Sequence, residues 1–279
     1  MKKVATIQDI SCFGKCSLTV ALPIISSTGI ETAVIPTAVL STHTGGFSGF
    51  TYRDLTEDIP KIAQHWKSID LKFDTIYTGY LGSFEQIDIV SKFFDDFRSE
   101  NTKIFVDPAM ADNGKLYTGF DYPFVEKMRE LCSKADYITP NVTEAAFMLG
   151  EEYYEICPNE EYVKDMVKKL CEFGCKNVIL TGVSYKGTDL GVMTYNSEKD
   201  EYFFYSRERI GGNYHGTGDV FASVYVAAMT KGKSIEESTK IAVDFVIDCI
   251  EKTLPDVKEH WYSVKFEECI PELIKKFNN

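Results

Sequence analysis

The sequence predicts an α/β protein: a single doubly wound domain over residues 1–279, with a central, mostly parallel sheet and helices on both faces. Three observations predict it. Short β-branched or apolar runs alternate with stretches of helical spacing from the N-terminus to about residue 180. Glycine-rich or acidic polar loops follow several of those runs. No repeat, low-complexity tract or linker interrupts the 279 residues.

The elements follow in order. Val4 to Ile10 reads as a buried strand, Ser17 to Thr28 as a helix stopped by Gly29, and Thr32 to Leu40 as a second strand. Ser41 to Gly49 is a polar loop, and Asp54 to Ser68 has helical spacing. Strands are expected at Thr75 to Thr78, Lys103 to Val106, Tyr137 to Thr139 and Asn177 to Leu180. Helices are expected at Ser83 to Arg98, Tyr122 to Ser133, Thr143 to Leu149 and Glu160 to Phe173. Beyond Thr181 the rhythm changes to an antiparallel pair, Gly191 to Tyr195 and Glu201 to Tyr205. Three helices then close the chain, at Val220 to Thr230, Ile235 to Ile250 and Phe266 to Phe277.

Composition narrows the function. The formal net charge is −12, which repels nucleic acid and anionic membranes, so neither is an expected partner. No apolar stretch approaches a membrane span, and the short N-terminal apolar run does not read as a signal peptide. The eight cysteines form no Cys-x-x-Cys pair and the four histidines no spaced pair, which disfavours zinc. Reduced thiols in a soluble, cytoplasmic protein are expected.

Chemistry concentrates in five loops, which in this fold class lie at the carboxyl ends of strands where ligands bind. Gly216-Thr217-Gly218-Asp219 precedes an apolar helix. Its glycines permit a tight turn with exposed N–H groups, an anion site at a helix start. An ionised Asp219 there suits a base that takes a proton from a hydroxyl attacking a phosphoryl group; the plain alternative is a helix cap. Asp107 to Tyr117 presents Asp107 and Asp112, either as water-mediated Mg²⁺ ligands or as an acidic turn around Asn113-Gly114. Thr139-Pro140-Asn141-Val142-Thr143-Glu144 starts a helix; Asn141 or Thr143 caps it, or Asn141 reaches phosphates and Glu144 a metal shell. Thr78 to Ser83 sets Tyr80 between glycines, against a flat ligand ring or in the core. His43 and Thr44 occupy the loop after the second strand, where a lone histidine is either structural or functional. P-loop, dinucleotide and protein-kinase signatures are absent from the sequence.

In order and spacing, these blocks resemble the ribokinase-like superfamily, in particular its vitamin B6 kinase branch and the bacterial group called pyridoxamine kinases. Gly79-Tyr-Leu-Gly-Ser83, Asp107-Pro-Ala-Met-Ala-Asp112, Thr139-Pro-Asn-x-x-Glu144, Gly216-Thr-Gly-Asp219 and the Leu40-Ser-Thr-His-Thr-Gly-Gly46 loop carry the likeness. The resemblance implies an ATP-dependent pyridoxal kinase, with Asp219 deprotonating the 5′-hydroxymethyl group of pyridoxal, pyridoxine or pyridoxamine. The backbone of residues 216–218 would form the anion hole. ATP would meet Asn141, Thr181 and Thr217, under a flap at Arg207 to Tyr214 that includes Arg207, Arg209 and Ile210. Asp112 and Glu144 would organise Mg²⁺, with a monovalent cation as a further candidate. His43, Thr44 and Tyr80 match substrate-pocket positions, and a homodimer is implied. Asp9 departs from the pattern, standing where many B6 kinases carry serine; a carboxylate there can pair with a protonated pyridine nitrogen or change which vitamer is preferred. Ala111 in place of glycine is a smaller departure. The alternatives are a related kinase for hydroxymethylpyrimidine, a sugar or a nucleoside, and a non-catalytic ligand sensor.

Overall fold

The structure, a computed structural model, describes residues 1–212 and 214–278. By their contacts these residues form two compact units, Met1–Leu81 with Ile210–Asn279, and Gly82–Arg209. Both are built as the sequence predicts, from mostly parallel strands linked by helices, an α/β architecture.

In the first unit, β1 (Lys3–Ser11) pairs in parallel with both β2 (Glu31–Leu40) and β4 (Thr75–Thr78). The short β3 (Tyr52–Asp54) adds antiparallel to β2, giving the order β4-β1-β2-β3. Val4, Ala5 and Ile7 are fully buried, as a strand covered on both faces requires. α1 (Leu18–Ser27) makes the crossover from β1 to β2, and α2 (Ile59–Ser68) follows β3. α7 (Thr217–Thr230), α8 (Ile235–Thr253) and α9 (Phe266–Asn278) complete the unit. α7 is apolar all round, and every residue from Val220 to Thr230 is buried. Such a helix belongs in a protein interior. Its far end is pinned to the sheet by a buried contact of 2.8 Å between the Thr230 and Thr75 hydroxyls.

In the second unit the order is β11-β10-β9-β8-β5. β5 (Lys103–Val106), β8 (Tyr137–Ile138) and β9 (Asn177–Val183) run parallel. β10 (Asp189–Asn196) and β11 (Glu201–Glu208) extend them antiparallel. Four helices accompany these strands: α3 (Phe84–Phe97), α4 (Tyr122–Cys132), α5 (Val142–Leu149) and α6 (Glu160–Cys171). Ser83, Asp121, Asn141 and Asn159 cap them, each accepting from a backbone N–H in the first turn.

Two expectations are corrected. The helix expected over Asp54 to Ser68 begins only at Ile59, because Leu55 N–H still bonds the Thr37 carbonyl and holds the chain to β2. Asp54 instead accepts from Thr56 N–H at 2.7 Å, and a 3₁₀ turn at Thr56–Asp58 leads into the helix. The stretch Asp107 to Tyr117, expected as loop, contains a hairpin of β6 (Ala111–Asp112) and β7 (Lys115–Leu116). Asn113 and Gly114 turn it with φ of 49° and 73°, the left-handed pair such hairpins demand.

Phe245 of α8 is fully buried. Phe245→Ala is expected to destabilise the protein by about 3–5 kcal/mol, read as a lower urea midpoint with an unchanged slope.

Candidate active site

The first unit brings two carboxylates, Asp9 and Asp219, close enough for the charge of Asp9 to raise the pKa of Asp219. Asp9 sits where the β1–β2 register slips: Gln8 faces Pro36, but Ile10 faces Val39. A bulge of this kind re-aims a side chain at a strand end. Asp9 is 5% exposed and accepts from the Ser11 hydroxyl at 3.2 Å, while Ser17 also lowers its pKa. Burial nonetheless holds its carboxyl above the usual range. Tyr80, mostly buried, has its phenol pushed up first by burial and then by the Asp9 charge.

Asp219 lies in the first turn of α7. Gly216 precedes it with φ of 78°, and a Cβ there would stand 2.9 Å from the Lys15 carbonyl and 3.5 Å from Cys16 Sγ. Conformation and space both require glycine. The first backbone bond of α7 runs from Val220 N–H to the Gly216 carbonyl, so the amides before it point out of the helix end. Nothing lies within 4 Å of a Cβ placed on Gly218, which leaves that amide open to close approach. Thr217 Oγ1 bonds back to the Tyr214 carbonyl at 3.3 Å.

Ser17 N–H and the Cys16 thiol are the donor groups nearest in effect to the Asp219 carboxylate, and both lower its pKa. Burial pushes its pKa up to about 6; the two donors oppose the rise and the Asp9 charge adds to it. Cys16 is itself driven well up by burial and then by Asp219, so its thiol stays protonated and remains a donor. Ser17, beside Cys16, is held in an unfavourable backbone state, with φ of 53° and ψ of −124°. It stands at the cap position of α1, yet its side chain makes no cap bond there.

His43 is 6% exposed. Its Nε2–H donates to the Tyr262 carbonyl at 2.7 Å and its Nδ1 accepts from Gly45 N–H at 3.0 Å. Both ring nitrogens are thus taken up in fastening the loop, and burial, with His215 nearby, keeps the ring below its usual pKa. Phe47 and His215 pack against it, Trp261 packs on both of them, and Thr44 is exposed beside it.

The second unit gathers Asp112, Asn141, Glu144 and Thr181. Asn141 caps α5 by accepting from Glu144 N–H at 2.9 Å, and the Glu144 carboxylate returns to Asn141 N–H at 2.8 Å. The other Glu144 oxygen accepts from Met110 and Ala111 N–H at 3.0 and 3.4 Å. Asn141 Nδ2 donates to the Ala111 carbonyl at 2.8 Å. Thr181 N–H donates to the Pro140 carbonyl at 2.9 Å, laying β9 beside Asn141. One buried carboxylate therefore ties the acidic hairpin to the start of α5. Burial and then the neighbouring Asp107 hold Glu144 well above the usual carboxylate range.

Exposed Asp112 accepts from Asn113 N–H and Nδ2, both at 2.9 Å. Among the described residues no group of three or more His, Cys, Asp or Glu forms a direct metal cage. The oxygen donors and the repulsion between Asp107 and Glu144 do fit a hard cation held through water and phosphate oxygens. Arg207 and Arg209 are exposed at the end of β11, with Arg209 3.5 Å from Glu155. In the first unit Ile210 continues the flap segment, of which Asn213 lies outside the described residues. A recess of about 280 Å³ near Arg98, Lys134 and Lys176 lies at the amino ends of β8 and β9, the wrong end for these loops.

Sequence reading missed Ser11, Cys16 and Ser17. Ser17 precedes an apolar helix and looks like an ordinary cap; its positive φ and diverted hydroxyl have no sequence signal.

Fold and site together define a ribokinase-like small-molecule kinase. The chain belongs to the phosphomethylpyrimidine kinase family, whose profile matches residues 22–263. A Bacteroides thetaiotaomicron structure, provisionally designated a phosphomethylpyrimidine kinase, is 39% identical, with a TM-score of 0.94 over 98% of this chain and 93% of its own. A second crystal form of that protein contains pyridoxal. Pyridoxal kinase from Lactobacillus plantarum is 26% identical, with a TM-score of 0.89 over 99% of this chain and 97% of its own. A Bacillus subtilis hydroxymethylpyrimidine/phosphomethylpyrimidine kinase is 26% identical over 253 residues, 90% of this chain and 83% of the relative.

Because the folded state raises the Asp219 pKa from 3.8 to about 6, stability is lost as pH rises through that window and is level above it. Asp219→Asn is expected to melt roughly 5 °C above the wild type at pH 8, with the gain fading between pH 6 and 4 in a series of thermal scans.

Proposed function

We propose that the protein transfers the γ-phosphoryl group of ATP to the 5′-hydroxymethyl oxygen of a vitamin B6 vitamer. The observation that carries this reading is the paired site itself: Asp219 in the first turn of α7 after the Gly216 turn, its carboxyl pushed up to about 6 by burial, with the buried Asp9 carboxylate near enough to add to the rise. A base with that pKa is ionised at neutral pH and still a competent proton acceptor. Asp219 takes the hydroxyl proton as the oxygen attacks phosphorus, and the amides of residues 216–218 stabilise charge on the transferring group. Asp9, ionised, pairs with a protonated pyridine nitrogen, and Tyr80 flanks the ring. Asn141, Thr181, Thr217 and the Arg207–Tyr214 flap serve ATP. Magnesium, when bound, would neutralise phosphate-oxygen charge, held through water by Asp112 and Glu144. The enzyme is taken to act in the cytoplasm as a homodimer.

A pyridoxal-containing relative supports the B6 reading. The family description and the Bacillus subtilis relative favour a second acceptor, hydroxymethylpyrimidine, whose ring also carries a hydroxymethyl group.

A coupled ADP-release assay with pyridoxal, pyridoxine, pyridoxamine and hydroxymethylpyrimidine decides between them. Turnover of a B6 vitamer is expected; turnover of hydroxymethylpyrimidine alone sinks the B6 reading. Asp219→Ala should lower kcat by about 10²–10⁴-fold. For the wild type, kcat/KM should climb about tenfold per pH unit below 6 and level off above, since the ionised form of Asp219 is the active one.

A further inference from the structure

We propose that Trp261, which stands outside every motif loop, is a positioning residue for the acceptor: its ring holds the His43–Phe47 loop against His215, at the entry to the Gly216 turn. This rests on the reading of Asp219 as base and Asp9 as the partner of the substrate ring.

Three features point the same way. First, four side chains from three separate segments close into a ring. Between centroids, His43 lies 5.0 Å from Phe47, Phe47 4.7 Å from Trp261, Trp261 6.3 Å from His215, and His215 5.1 Å from His43. These are the spacings of attractive aromatic pairs. Second, the backbone makes the same connection. Tyr262, the residue after Trp261, gives its carbonyl to His43 Nε2–H at 2.7 Å, while His43 Nδ1 accepts from Gly45 N–H at 3.0 Å. Third, the fit leaves no slack at the glycines of the loop. A Cβ on Gly46, whose φ is 82°, would stand 2.7 Å from the Trp261 ring, and one on Gly45 2.8 Å from His215 Nδ1.

The place of the ring gives it a task. The loop leaves β2 at Leu40, which pairs with Ser11, two residues past Asp9 on β1. His215 directly precedes Gly216, whose turn opens α7 and leads to Asp219. The loop thus runs from the end of the strand that carries Asp9 to the approach to Asp219. Trp261, from the connection between α8 and α9, clips that loop to His215. A positioned wall of this kind holds an acceptor in the geometry that reaction needs. Trp261 is also 40% exposed, so its truncation leaves a notch at the surface rather than a closed cavity in the core.

The test joins steady-state kinetics to NMR on the wild type, Trp261→Ala and Trp261→Phe. In Trp261→Ala the KM for the vitamer should rise about tenfold, with kcat changed less than about threefold. KM for ATP, whose assigned contacts Asn141 and Thr181 belong to the other unit, should stay within about twofold. Exchange of the His43 Nε2 proton with water, followed in ¹H–¹⁵N spectra of the ligand-free proteins, should quicken about tenfold or more. Trp261→Phe keeps a ring against the loop and should recover most of both losses. An unmoved vitamer KM overturns the proposal even if the proton exchanges faster, since the contact is then structural only. An equal rise in both KM values, which a general loosening would produce, overturns it too, as does a Trp261→Phe variant no better than Trp261→Ala. If the wild type phosphorylates hydroxymethylpyrimidine and no B6 vitamer, the acceptor assignment has failed, and the same KM comparison with hydroxymethylpyrimidine decides the role of Trp261. If no acceptor turns over, the proton exchange decides it.

Discussion

The turn Lys15-Cys16-Ser17 pressing against Gly216 is the contact on which the site depends. A backbone carbonyl stands where any side chain at residue 216 would have to be, so α7 can begin there only with glycine. That closeness sets the Cys16 thiol and the Ser17 amide near enough to Asp219 to lower its pKa. It also fixes the electrostatics. Two carboxylates within reach of each other and largely out of water would both prefer protons, and the polar groups of this turn and its surroundings oppose that rise. A strained serine and an unused helix cap are the structural expense, of the kind that clusters at functional sites.

The second unit solves a related problem with different means. Glu144 is a buried carboxylate surrounded by three backbone N–H groups rather than by side-chain donors. It holds the acidic hairpin against the start of α5, and Asn141 closes the same knot from the other side. The residue type that suggested a metal ligand is thus first a fastener of two loops. Both roles are compatible, since a cation nearby would relieve the repulsion between Glu144 and Asp107.

Much of this was legible in the chain. β4 and β5 lie where short β-branched or apolar runs between turn signals put them, because a buried parallel strand needs little else. Asp219 was legible as a first-turn acid after two glycines. The β6–β7 hairpin was not, since two-residue strands are too short to show a period. Nor was the slip beside Asp9, which arises from pairing with a strand that carries Pro36. Ser17 was the least readable of all: its conformation is imposed by neighbours some two hundred residues away, and no local pattern records that. His43 was picked out as a loop histidine, but which atoms its nitrogens would meet depended on the distant carbonyl of Tyr262.

The burial of α7 has an evolutionary side. Eleven consecutive residues behind Asp219, Val220 to Thr230, have no face turned to solvent. Drift in this helix is therefore met by packing on every side, and Asp219 cannot be moved by gradual substitution beneath it. Change has an easier route through the loops and strand ends, where one exchange at residue 9 replaces a buried charge without disturbing the helix. Such a division of tolerance steers variation to the rim and leaves the helix start where it is.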